Sequence, residues 1–112
     1  MANKKNPLKL NKLQLRTLAL AQVLARDEGS AEAMGDEVTI RHLPHAHGDH
    51  VHIGSFTVSA RDASGFANPA VWLALTRKGM VRDAGQAGVT LTAEGLAYDT
   101  GLADQFAVPS DH

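Results

Sequence analysis

The chain has 112 residues, of which 44% are hydrophobic and 21% charged, and its formal net charge is -1. That length and balance fit one globular domain with a modest core, and they weigh against two domains, global disorder and a strongly basic nucleic-acid binder. The absence of cysteine excludes disulfides, thiolate zinc ribbons and cysteine nucleophiles, and it fits a reducing cytosol without proving it.

Residues 1–6 read as a loose polar end. Lys4, Lys5, Lys9 and Lys12 precede a leucine-rich stretch, but Asn11, Gln14, Arg16 and Gln22 interrupt it, so the expectation is a soluble helix in a cytoplasmic protein rather than a signal peptide or membrane span. Helix-start signals lie at Asn6-Pro7 and again at Asn11, with Gln14 at the capping-box position. Leu10, Leu13, Leu20 and Leu24 recur at three- and four-residue steps or their multiples, and Leu15, Leu18 and Val23 widen the stripe. A helix this apolar is buried on more than one side and should end near Glu28, before Gly29-Ser30. Its surface is covered either by the rest of the chain or by a second copy, which would make it a homodimer interface.

Over residues 37–60 the period changes to two. Val38 and Ile40 alternate with Glu37, Thr39 and Arg41, residues 44–49 supply turn chemistry, and His50-Val51-His52-Ile53 alternates again. The pattern predicts an antiparallel hairpin between these two runs. Beyond Gly54 the apolar parity switches from Val51 and Ile53 to Phe56 and Val58, and a bulge at Gly54-Ser55 would restore a common face.

Residues 59–66 read as a one-turn helix and loop. Asn68-Pro69 then opens a helix through Val71, Trp72 and Leu75 that stops at Gly79. Residues 81–88 read as a polar connection, Val89-Thr90-Leu91 as a short strand, and Thr92 as the cap of a brief helix carrying Leu96 and Tyr98. Residues 102–112 read as a weakly structured tail. The sum is a small single α+β domain over residues 1–112, with an N-terminal helix and a histidine-rich antiparallel hairpin.

Five of the six histidines fall in HLPHAHGDHVH, residues 42–52. Side chains alternate along a strand, so His50 and His52 share a face, roughly 7 Å apart. With a two- or four-residue loop, His45 and His47 join them, and His42 falls on the opposite, apolar side. Imidazole is the commonest protein ligand for zinc and also suits copper, nickel and iron. The expected site is a divalent cation, zinc above all, held by His45, His47, His50 and His52 with Asp49 as an oxygen ligand. The alternative is a solvated polar face, or histidines serving as pH-sensitive hydrogen-bonding groups. A zinc hydrolase would need a distant further ligand and a general acid or base beside the metal, and only Glu37 and Asp49 lie near in sequence. The expectation is therefore a binding protein and not an enzyme.

The segment VSARDASGFANPAVWLALTRKGMVRDAGQAGVTLTAEGLAY, residues 58–98, resembles the core of winged helix-turn-helix proteins. Arg77-Lys78-Gly79-Met80-Val81 is similar to that family's lead-in to a strand, and residues 89–95 are similar to the far side of its wing. The resemblance implies a winged-helix-like C-terminal half that binds duplex DNA. Residues 68–78 would enter the major groove, with Asn68, Thr76, Arg77 and Lys78 exposed and Arg82 at the wing. Winged domains also serve in protein-protein contacts, so an interaction module without a metal site is a third reading.

Overall fold

The first helix, α1 (Lys12–Ala25), begins at a reciprocal cap: Gln14 N donates to Asn11 Oδ1 at 2.8 Å, and Asn11 N donates to Gln14 Oε1 at 3.0 Å. Two N–H groups that a helix start would leave without partners are thereby satisfied. The computed structural model describes residues 9–26, 31–41, 43, 48–53, 56–61, 63–85 and 88–101. Thr17, Leu18, Ala19, Leu20 and Ala21 are all buried, which is more than one full turn. The middle of α1 is thus enclosed on every side, as its wide apolar stripe predicts. The helix closes with Arg26 as its C-cap, and the expected stop at Glu28-Gly29, the Asn6-Pro7 start and the two loose ends lie outside the described residues.

Strand β1 (Ala31–Met34) turns back through Gly35-Asp36 into β2 (Glu37–Ile40), with Gly35 at φ +67°. Farther along come β3 (His50–Ile53), β4 (Phe56–Ser59), a single 3-10 turn (Ser64–Ala67), α2 (Pro69–Arg77), β5 (Val81–Gly85), β6 (Gly88–Leu91) and α3 (Ala93–Ala97). The strands form a four-stranded antiparallel sheet in the order β1-β2-β6-β5 and a separate β3–β4 pair. Ile40, Val81, Val89 and Leu91 are buried on the inner face of the large sheet, toward the helices. Its outer face carries Glu32, Glu37, Thr39, Arg41 and Arg82, and the hydroxyls of Thr39 and Thr90 meet there at 2.9 Å. Three helices and two sheets share one core, so the chain is a small α+β domain.

Strand pairing departs from the sequence reading. No hairpin joins residues 37–41 to residues 50–53, because β1 occupies one edge of β2 and β6 the other. β3 pairs with β4 instead. The strand over Ala31–Met34 escaped the pattern because alanine, glutamate and methionine have little β preference. Gly35 nevertheless supplies the positive φ that a tight turn before β2 needs.

The parity switch near Gly54 also has another cause. Ile53 faces Phe56 and Val51 faces Val58, so two residues connect the strands and no bulge is required. Residues facing across an antiparallel pair share one side, and an even-length connection changes parity by itself. Residues 81–85, expected as a connection, are paired as β5, although the register shifts between Arg82 and Gly85 and Asp83 sits at φ +56°. That irregularity explains the loop-like look of Arg82-Asp83-Ala84-Gly85.

The rest follows local chemistry. Asn68 Oδ1 accepts from Ala70 N at 3.0 Å, Pro69 opens α2, and Gly79 at φ +79° follows its end. Trp72 stacks on Phe66 at 5.9 Å and donates through Nε1 to the Phe66 carbonyl at 2.9 Å. Thr92 caps α3 by accepting from Gly95 N at 3.0 Å. Among the described residues, no helix is long and apolar enough to cross a membrane.

Candidate metal centre on the β3–β4 hairpin

Gly48, at φ +72°, turns the chain toward β3. The Asp49 carbonyl then accepts from Ala60 N at 2.8 Å, which closes the open end of the hairpin beyond the His50–Ser59 pair. Val51, Ile53 and Val58 are buried beneath this small sheet. Alternation therefore turns His50 and His52 to the other face, where His52 is exposed and His50 is partly exposed.

The two imidazoles lie close together on that face. Their ring centroids are 5.0 Å apart and their planes cross at 86°. His50 Nδ1 lies 3.5 Å from Asp49 Oδ1, and His52 Nδ1 lies 3.5 Å from the hydroxyl of Thr57, its cross-strand neighbour. Thr57 carried no signal in the sequence, because its role depends on which strand pairs with β3.

Of the five expected metal-site residues, His50, His52 and Asp49 are described, and His45 and His47 lie outside the described residues, as does His42. The geometry that placed four imidazoles on one face assumed pairing of β2 with β3, and that pairing is absent. The shared face of His50 and His52 depends only on their two-residue spacing and is observed. Among the described residues, no three His, Cys, Asp or Glu side chains gather into a group that could hold a metal. Glu37 stands elsewhere, on the large sheet, where its Oε1 accepts from Arg82 Nε at 2.9 Å.

The residues expected to face DNA are partly committed to the protein itself. The Asn68 side chain caps α2, and the Thr76 hydroxyl donates to the Trp72 carbonyl at 2.8 Å. Arg82 pairs with Glu37 and, through Nη1, with Asp83 Oδ2 at 2.7 Å. The hydrogen bond from Arg82 is the main reason that the Glu37 carboxyl is held below its ordinary range, and Arg82 is raised in turn by that bond. Arg77 and Lys78 are exposed at the C-terminal end of α2. The helix presents Ala70 and Leu73 to solvent before them, with Leu73 51% exposed.

The chain matches no protein-family model, no curated protein and no solved structure.

Proposed function

We propose that the protein binds a divalent cation, zinc foremost, through His50 and His52, as a binding protein and not an enzyme. The observation that carries this reading is the spacing of the two rings. With zinc about 2.1 Å from each nitrogen and tetrahedral ligand angles, two imidazoles on one ion have ring centres about 5 Å apart. The ring centroids of His50 and His52 are 5.0 Å apart. Two imidazoles do not fill a tetrahedral site, and His45 and His47, a few residues upstream, are the proposed further donors.

Elemental analysis and zinc titration of the wild type against a His50→Ala/His52→Ala variant test the reading. The expected result is bound zinc in the wild type and its loss in the variant. Equal binding by both, or none by either, would overturn it.

Duplex binding is the second reading. The sheet order β2-β6-β5, with α2 leading directly into β5, favours it because the resemblance to winged helix proteins calls for a helix followed by a two-stranded wing. Its weak point is the outward face of α2, where Ala70 and Leu73 offer no donor or acceptor to a base edge. Two half-sites would also require a homodimer, for which α1 offers only the partly exposed Leu13, Leu15 and Val23. A mobility-shift titration at low salt reads this directly: a salt-sensitive complex that weakens in Arg77→Ala/Lys78→Ala supports it, and no complex at any salt rejects it.

A further inference from the structure

We infer that Asp49 is a positioning residue that holds the His50 ring by Nδ1, so that the cation is taken through Nε2 and Asp49 is not itself a ligand. The inference rests on the cation reading above and assigns a different role to the aspartate that the sequence pattern offered as an oxygen ligand.

The geometry starts from the backbone. The Asp49 carbonyl is tied to Ala60 N at 2.8 Å, so the residue's main chain is fixed at the end of the hairpin. From there its carboxylate Oδ1 stands 3.5 Å from His50 Nδ1. A carboxylate can only accept, so this contact favours the neutral tautomer with its proton on Nδ1 and the lone pair on Nε2. That tautomer presents Nε2 to a metal without having to lose a proton. Carboxylate–histidine–metal arrangements of this kind orient the ring as well as selecting the tautomer.

The same contact argues against Asp49 as a ligand. An ion about 2.1 Å beyond Nε2 lies across the ring from a carboxylate that faces Nδ1. One Asp49 oxygen cannot serve both positions. His52 repeats the pattern with a hydroxyl, since Thr57 Oγ1 stands 3.5 Å from its Nδ1. Each ring is therefore approached at Nδ1 by an oxygen of its own hairpin, and both can turn Nε2 toward one ion.

Imidazole nitrogen NMR on the metal-free full chain, together with zinc and cobalt titrations, tests the assignment in wild type, Asp49→Ala and Asp49→Asn. The expected wild-type spectrum shows His50 with its proton on Nδ1, and Asp49→Ala shifts the ring toward the Nε2–H tautomer. Zinc affinity should fall by about 10- to 100-fold in Asp49→Ala, the usual effect of removing such a partner. The Asp49→Asn variant keeps an acceptor oxygen and should restore part of that loss. The visible spectrum of bound cobalt should keep its shape in all three proteins, because the ligand set does not change.

A wild-type His50 already protonated on Nε2 overturns the assignment of Asp49 whether or not zinc binds. So does a cobalt spectrum that changes on Asp49→Ala while the His50 tautomer does not. If the Nδ1–H tautomer is found and the wild type binds no zinc, the cation reading fails and the Asp49–His50 contact stands without it.

Discussion

Gly65 lies against Thr17 with no room for a side chain: a Cβ at position 65 would overlap Thr17 Oγ1. This contact joins the 3-10 turn to the enclosed middle of α1 and so helps to fix where α2 begins. Thr17 is fully buried, and its hydroxyl has no hydrogen-bond partner among the described residues. Gly65 has no positive φ, so a substitution there meets a steric obstacle and not a backbone one. Gly65→Ala should cost about 1–3 kcal/mol by overpacking. Thr17→Ala opens that space, so the double variant should be more stable than the sum of the single losses predicts, by roughly 0.5–3 kcal/mol. Urea denaturation of the four proteins measures the coupling, and strict additivity would refute the contact.

Gln22 links α1 to the end of the chain's last helix. Its Nε2 donates to the Gly95 carbonyl at 2.8 Å and to the Tyr98 carbonyl at 2.9 Å. These acceptors lie within and just past α3, which at five residues is too short to hold itself by propensity. Gln22→Ala should destabilise the fold by about 1–3 kcal/mol through the two lost bonds. Hydrogen exchange should show the loss first at residues 95–98. Uniform loss of protection across the chain, with no excess there, would count against a local clamp.

The sequence made the helices plain and hid part of the sheet. Asn11 with Gln14, Asn68 with Pro69, and Thr92 carry capping information within three residues of each other, and each behaves as its local chemistry requires. Strand partners depend on distant segments, so Glu37–Ile40 showed its period of two without showing that β1 and β6 would take both its edges. The shared face of His50 and His52 was legible because it needs only alternation. The approach of Thr57 to His52 was not, since it follows from the β3–β4 register. Arg82 looked like an unpaired cation beside a wing, but its partner Glu37 is far away in sequence and meets it only through the sheet.

The Glu37–Arg82 pair also gives stability a direction with pH. Hydrogen bonding to Arg82, supported by its charge, lowers the Glu37 carboxyl from an ordinary 4.5 in the folded chain. A depressed carboxyl contributes stability that is present above its unfolded value and is lost as pH falls through its folded value. Arg82 is raised and stays charged throughout that window. Wild type should therefore lose stability relative to Glu37→Gln as the solution is acidified from neutral pH to below 4.5. Thermal melts of both proteins across that range check it. Parallel pH profiles would mean that the pair contributes nothing to folding.

The histidines should be nearly silent in folding and decisive in binding. His52 is exposed, and surface substitutions of this kind usually change stability by no more than about 0.5 kcal/mol. In metal-free buffer with a chelator, His52→Ala should melt with the wild type. Zinc at about 100 times its dissociation constant should add about 2.7 kcal/mol to the wild type, because it binds the folded chain preferentially. His52→Ala should show little of that gain at the same zinc concentration, and so should His50→Ala, since either change halves the imidazole pair. Zinc-dependent stabilisation that survives both substitutions would move the site off this hairpin face. A destabilised His52→Ala in the absence of metal would instead mean that the ring contact with His50 serves the fold.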